Sequence, residues 1–339
     1  MAWRVAARAM LSMTQHIERV LGTLSSGSAA ARSRLAASWH RSFRAHGLDP
    51  AHRREVRQVT GKELRDRRDA QGAFLEVAAP QMDSLFGLIG RSGCGVLLTD
   101  AEGVVLELRC ADGDAQVFRD WGLRPGADWS EAAEGTNGIG TCLAENRQVT
   151  IHRDQHFLAR NIGMSCMDAP IHGPDGALIA ALDVSSARAD QTEAFNGLIA
   201  AMVAQTARQI EADAFRAAYA GRRIVVAGEA GQTEPAALLA VDDDDLIVGA
   251  TRGARRAYGL PLGGALSPVP AGDILGREGA ARGFERAERA AVMRALARAG
   301  GNVSEAARAL GVGRATLYRR MARLEIAQGD EGSEDLSRN

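Results

Sequence analysis

Residues 304–324, SEAARALGVGRATLYRRMARL, hold Arg314, Arg319, Arg320 and Arg323 in the second half, with one acid, Glu305. Arginine is the side chain that pairs in a fork with guanine and also grips phosphate, so this pattern points to duplex nucleic acid. From Arg282 to Leu324 ten arginines stand against Glu285, Glu288 and Glu305, a local balance of +7. The whole chain of 339 residues carries −1, and residues 325–339 hold five acids against one arginine. Basic charge confined to one short segment is a nucleic-acid footprint, whereas no global field draws the chain to DNA or to a membrane.

The helices that must position those arginines are legible. FERAERAAVMRALARAGGN places Ala290, Val292, Met293, Leu296 and Ala297 on one face of a helix that stops at Gly300 and Gly301. Asn302 or Ser304 caps a second, short helix ending at Gly311, a position suited to a positive φ, and Val312 fills the corner. A third helix begins near Gly313, with Leu317, Met321 and Leu324 packing on Ala306, Ala307 and Leu310. Ala315, Arg319 and Arg323 point the opposite way and Thr316 leaves at the flank. This is helix-turn-helix geometry, with first-turn side chains at base edges and later arginines at phosphate.

The rest of the chain changes period. Residues 1–88 step in threes and fours and form a helical N-terminal region broken at residues 25–30 and 46–50. Residues 94–110 predict two strands about a turn at Asp100–Gly103, residues 148–152 a short strand, and residues 168–186 two strands about a Pro-Asp-Gly turn. One long helix over 189–221 closes an α+β domain at 89–221. Strand-like pieces fill 222–262, where the acidic run 242–245 reads as a hairpin turn. Gly- and Pro-rich 263–282 reads as linker, 283–326 as the helical DNA-binding domain and 327–339 as a disordered tail. The fold class is multidomain α+β with an all-α C-terminal module.

Other chemistries fit less well. Cys94, Cys110, Cys142 and Cys166 are 16 to 32 residues apart with no CxxC, which is not zinc spacing. Gly135, Gly138 and Gly140 match neither GxGxxG nor GxxxxGK[ST], and GEAGQTEP (228–235) lacks the lysine and Ser/Thr of a phosphate loop. No cofactor or metal is expected. No apolar run approaches the roughly 20 residues of a membrane span. The first 48 residues carry seven arginines and one acid, as an organelle transit peptide does, but run into helical sequence without a break. A cytoplasmic protein is expected.

The C-terminal stretch GNVSEAARALGVGRATLYRRMARLEI resembles the Fis-type module of bacterial regulators. The resemblance implies a homodimer on a pseudo-palindromic operator, with Arg314, Thr316, Arg319 and Arg320 facing DNA. Gly313 departs from the usual Ser, Thr or Asn at the cap. SWHRSFRAHGLDP (38–50), EGTNGIGTCLAE (134–145), HFLARNIGMSCMDAPIHGPDGALIAALDVSS (156–186) and ADQTEAFNGLIA (189–200) are similar to the sensory half of acetoin-catabolism-type regulators. That implies a GAF domain, with Trp121, Trp129, Thr136, Asn137, Cys142, His152, Cys166 and Asp183 as ligand-pocket candidates. Each has an ordinary alternative: core aromatics, a satisfied histidine, inert buried thiols, a strand-end cap. Residues 237–260 are similar to the start of a PAS domain, here truncated. Relatives of this architecture usually carry an ATPase domain between sensor and DNA-binding module, and this chain has only a short linker there.

These readings lead to a DNA-binding transcriptional regulator that senses a small-molecule effector, lacks ATPase activity, is not an enzyme, and contacts RNA polymerase or competes for its site. Two alternatives take the cysteines seriously: a thiol-based redox regulator, and a GAF-fold thiol-dependent sulfoxide reductase. The reductase requires a low-pKa thiolate near a cation, and the redox regulator a DNA affinity that changes with peroxide rather than with a metabolite.

Overall fold

The computed structural model describes residues 2–186, 192–227, 237–243, 245–275 and 283–326, with the side chains of 2–9, 273, 283, 286, 290, 294 and 297 outside the description. The chain divides into two compact units, residues 1–275 and 276–339. The tail at 327–339 and the segment 228–235 lie outside the described residues.

The first unit opens with α1 (Ala2–Ser25), α2 (Ala29–Arg32), α3 (Arg34–Arg44), α4 (Gly61–Ala70) and α5 (Gly72–Ile89). A five-stranded antiparallel sheet follows, ordered β2-β1-β5-β4-β3: β1 (Cys94–Thr99), β2 (Val105–Arg109), β3 (Val149–His152), β4 (Ser165–His172) and β5 (Leu178–Ser186). Between β2 and β3 lie α6 (Ala115–Asp120), α7 (Glu131–Glu134) and α8 (Gly138–Glu145), and after β5 comes α9 (Glu193–Ala218). β1, an interior strand between β2 and β5, is buried at all six positions because both faces are covered, so it lacks the polar alternation of a half-exposed strand. One face packs Val96, Leu98, Met167, Leu182 and Val184 under Met82 and Leu85 of α5 and Val203 and Ile210 of α9. The opposite face turns Leu97, Cys166, Asp168, Ala181 and Asp183 inward, all buried.

Two boundaries differ from the sequence reading. The helices before residue 89 do not stand apart: α5 shares a layer with α9, while Val20, Leu24 and Trp39 of α1 and α3 pack on Phe157 and Leu158. Trp39 also donates its indole N–H to the Gln155 carbonyl at 2.9 Å. The predicted linker at 263–282 is, as far as 275, folded structure.

β6 (Arg223–Ala227), β7 (Ala237–Val241), β8 (Leu246–Ala250) and β9 (Val269–Pro270) form a second antiparallel sheet, with α10 (Arg252–Ala257) between β8 and β9 and α11 (Ala271–Ile274) after β9. The reason is Arg255, 1 % exposed, whose guanidinium donates to the carbonyls of Ala250 (2.9 Å), Pro261 (2.8 Å) and Gly264 (2.9 Å). The Gly-Pro-rich loop is thus pinned by a buried cation whose donors are met by backbone oxygens. Between β7 and β8 the Asp245 amide donates to the Asp242 carbonyl at 3.2 Å, with Asp245 at φ 65°, as a hairpin turn requires. Phe215 and Tyr219 at the end of α9 pack on Leu238 and Ala240, so one helix serves both sheets.

Candidate DNA-binding helix and sensor site

In the second unit α12 (Gly283–Arg298), α13 (Val303–Ala309) and α14 (Arg314–Arg323) close a small core of Val292, Ala295, Val303, Ala306, Ala307, Leu317, Met321, Leu324 and Ile326. Asn302 caps α13, its side-chain oxygen accepting the Ser304 and Glu305 amides at 3.0 and 3.1 Å. The turn into α14 runs through Gly311 at φ 66°, where a β-carbon is disfavoured. Gly313 sits at the N-cap of α14 and offers no side-chain cap. Met293 departs from the sequence reading: it is 46 % exposed, and Ala295 takes the inward place because α12 meets its partners along the 292–295–299 edge.

The outward face of α14 carries Ala315, Arg319, Ala322 and Arg323, all exposed. Arg319 lies opposite Leu317 and Met321 and makes no hydrogen bond or ion pair among the described residues. Arg314, at the first turn, lies over the Tyr318 ring at 5.5 Å and donates to its hydroxyl at 3.2 Å. Thr316 is half-buried. Arg320 and Arg323 both lean on Glu288 of α12, Arg320 at 3.3 Å. Exposed ion pairs of this sort contribute about 0–1 kcal/mol, so phosphate can displace the carboxylate at little cost.

The glycine-rich loop of the sensor is a packing device. Gly135 adopts φ 65° after α7. Asn137 caps α8 by accepting the Gly140 amide at 2.9 Å and donates to the Trp129 and Gly135 carbonyls at 3.1 and 2.9 Å. A β-carbon on Gly138 would sit 2.5 Å from the Cys166 β-carbon and collide with an Asp168 oxygen; one on Gly140 would meet the Glu131 backbone. The amides that a phosphate cradle would offer are buried, and the N-terminus of α8 faces protein.

The eight pocket candidates divide. Trp129 is a core side chain bonded to the Gly122 carbonyl at 3.1 Å, and Trp121 packs at the edge of the same cluster. Asn137 is the α8 cap. His152 is satisfied by Ser165 at 2.7 Å and by Asn196 at 3.0 Å, and burial lowers its pKa. Thr136 is fully buried and shares hydrogen bonds with Ser38 (2.7 Å) and Ser42 (3.2 Å) of α3. Cys166 and Asp183 lie on the inner sheet face, and Cys142 of α8 packs against it beside Ala181. Residues that sequence reasoning did not single out complete the picture: Glu131, 5 % exposed, accepts from Ser38 at 2.8 Å and from Arg41 at 2.7 Å. Arg41 also reaches Glu145 at 3.3 Å. The block SWHRS was visible, but nothing in it told that its partner would be Glu131.

Asp168 is paired in register with Asp183 on the neighbouring strand, both at 0 % exposure. Ser185 donates to one Asp183 oxygen at 2.7 Å; the other, and both oxygens of Asp168, meet no donor. Burial pushes Asp183 up to about 7 and, joined by the charge of Asp183, holds Asp168 well above the usual carboxylate range. Each folded carboxyl therefore holds a proton that the unfolded chain releases near pH 4, so stability falls as pH rises from about 4, through about 7 for Asp183, and falls further as the still-protonated Asp168 ionises. Asp183→Asn should flatten this slope and raise the melting temperature at pH 8. Thermal melts from pH 5 to pH 8 check it, and a variant as pH-sensitive as the parent refutes the account.

Cys142 and Cys166 sit in surroundings that oppose a thiolate. Burial pushes Cys142 and Cys166 well up, and the Asp168 and Asp183 charges add to it. Cys166 lies 3.5 Å from His156 Nε2, but burial drives that histidine down to about 4, so no cation faces the sulfur there. Among the described residues no cluster of three or more metal-ligating side chains occurs, and no helix is long and apolar enough to cross a membrane.

Residues 74–212 match the GAF domain family and residues 283–324 the bacterial regulatory protein, Fis family. The chain is 35 % identical over 243 residues to the acetoin catabolism regulatory protein of Cupriavidus necator, covering 71 % of this chain and 36 % of that protein. It is 31 % identical over 184 residues to the acetoin dehydrogenase operon transcriptional activator AcoR of Bacillus subtilis, covering 53 % of this chain and 30 % of that one. It thus spans about a third of the length of these curated relatives. Among solved structures, the E. coli DhaR(N)–DhaL complex is similar at 15 % identity with a TM-score of 0.49, covering 68 % of this chain and 78 % of that one. With both parts matched and their geometry in place, the chain carries a GAF domain followed by a helix-turn-helix of the bacterial regulatory Fis family.

Proposed function

We propose that the chain binds duplex DNA through α14 and that its sensor half adjusts this binding in response to a small metabolite. The observation that carries the reading is Arg319: an unpaired cation on the outward face of a helix whose inward face is closed by its own core. A homodimer on a pseudo-palindromic operator suits a single short reading helix, since each copy supplies one half-site contact. Arg314, Thr316 and Arg319 take base edges, while Arg320 and Arg323 take phosphate. In the cytoplasm, such a protein works by contact with RNA polymerase, by occlusion or by competition. Residues 213–282 join the two matched parts and are too few for an ATPase domain, so the proposal involves no nucleotide hydrolysis. The relatives' names make acetoin a first probe of the sensor.

Removing residues 284–339 should abolish the gel shift of operator DNA while leaving the rest folded, as judged by its thermal melt. A shift retained by the shortened chain places the DNA site elsewhere. A ligand alters DNA affinity only by the difference in its own affinity for the two states, so an effector must move the operator Kd and its own Kd by the same factor.

A further inference from the structure

Tyr318 is the only aromatic residue of α14, and residue order alone gives it no role. Its half-buried ring packs against the three-helix core that Leu317 and Met321 close. The Arg314 guanidinium lies over that ring, 5.5 Å from its centroid, and Arg314 Nη2 donates to the Tyr318 hydroxyl at 3.2 Å. We propose that Tyr318 is a positioning residue, which holds Arg314 ready for a guanine at one position of each half-site. The proposal rests on the DNA-reading role of α14 given above and names what aims one of its arginines.

Helical spacing makes the tether possible, since residues four apart are neighbours on a helix surface. Anchorage makes it useful. A tyrosine has two side-chain torsions, and this ring is fixed further by the core behind it. A long arginine without such a hold loses its rotamer freedom when it meets DNA, and that loss weakens binding. Arg314 gives up part of this freedom on folding instead.

The tether and the base contact do not compete. Stacking on tyrosine engages the flat face of the guanidinium, whereas a guanine fork is made by its edge, with N7 and O6 accepting. The tyrosine hydroxyl occupies a single one of the five N–H donors. Arg314 therefore reaches the groove at the first turn of α14 with its direction already set, while exposed Arg319 makes no such contact among the described residues.

The test uses the full chain with two probes: a duplex that the parent selects from a randomised pool, and an unrelated duplex of equal length. Tyr318→Leu keeps apolar contact with the core but removes the ring face and the acceptor. It should weaken binding of the selected duplex about two- to tenfold and leave the unrelated duplex unaffected. A fresh selection with this variant should show a flattened guanine preference at one position per half-site. Tyr318→Phe keeps the ring and should fall between the two. The same substitutions in an Arg314→Ala chain should cause no further loss, whereas a merely structural tyrosine would cost the same in either background. Thermal melts show whether each variant folds, and the phenylalanine variant carries the comparison if leucine unfolds the unit. A folded Tyr318 variant that binds and selects as the parent does, or an equal loss with and without Arg314, overturns the tether. If Arg319→Ala loses selectivity while the Tyr318 variants keep it, the reading by α14 stands and only the tether falls. If no substitution on α14 alters binding, the reading has failed and the proposal falls with it.

Discussion

Alanine at Gly140 is expected to cost the sensor at least about 3 kcal/mol and lower its melting temperature by roughly 6 to 12 °C. The new β-carbon would lie 2.8 Å from the Glu131 Cα and closer still to its nitrogen. Backbone cannot swing aside as a side-chain tip can, and this backbone is fixed further by the hold of Arg41 and Ser38 on the Glu131 carboxylate. The Asn137 amide, which caps α8, stands 2.8 Å away and leaves no other direction for relief. Gly87 is the matched control. It lies on the exposed side of α5 with nothing within 4 Å of a built β-carbon, so Gly87→Ala should gain about 1 kcal/mol from helix propensity. Calorimetric melts of the two variants beside the parent decide the matter. Equal effects at the two positions would show that the loop is roomier than its geometry requires.

The second large effect concerns Arg319. Arg319→Ala should weaken operator binding by about 5- to 150-fold and random-sequence binding much less, since a well-placed arginine–guanine pair discriminates by about 1–3 kcal/mol. Arg323→Ala should behave differently. Its partner in the free protein is Glu288, an exposed pair worth little, so it serves as a reserve of positive charge for phosphate. Its loss should lower affinity for operator and random DNA alike and reduce the salt slope by about 1. Titrations of both sequences at several salt concentrations separate the two cases. If Arg319→Ala binds both DNAs as the parent does, α14 is not the reading helix.

Much of this was legible in the residue order. The hairpin turns at Asp100–Gly103 and at Pro174–Gly176 follow from turn chemistry, and the strands on either side from their apolar runs. The helix-turn-helix was readable because its core is local: Ala306 and Leu317 are eleven positions apart, each on the apolar stripe of a short helix, and one tight turn at Gly311 brings the stripes together. Met293 was misplaced for a related reason. Periodicity fixes a stripe, but the edge of the stripe that meets the neighbours depends on their crossing angle.

The sensor site was less readable. Thr136 was named, but its partners Ser38 and Ser42 lie 98 and 94 positions away. Its sequence position suits Asp183 to a strand-end cap or a pocket; its pairing with Asp168 depends on the register of two strands, which no single strand encodes. The loop at 263–275 looked like linker from its glycines and prolines, and only the buried Arg255 reveals it as folded.

Residue order by itself determined a helix-turn-helix whose second helix is cationic, and an antiparallel sheet with flanking helices before it. Those features rest on interactions within a few turns or one hairpin, where spacing and side-chain type suffice. Only the tertiary structure decided that α3 lies against α8 and that Glu131 is the carboxylate that holds it there. Each of these joins segments about a hundred residues apart, and the free energy that selects such contacts is burial and hydrogen bonding shared across the whole core, which no local pattern records.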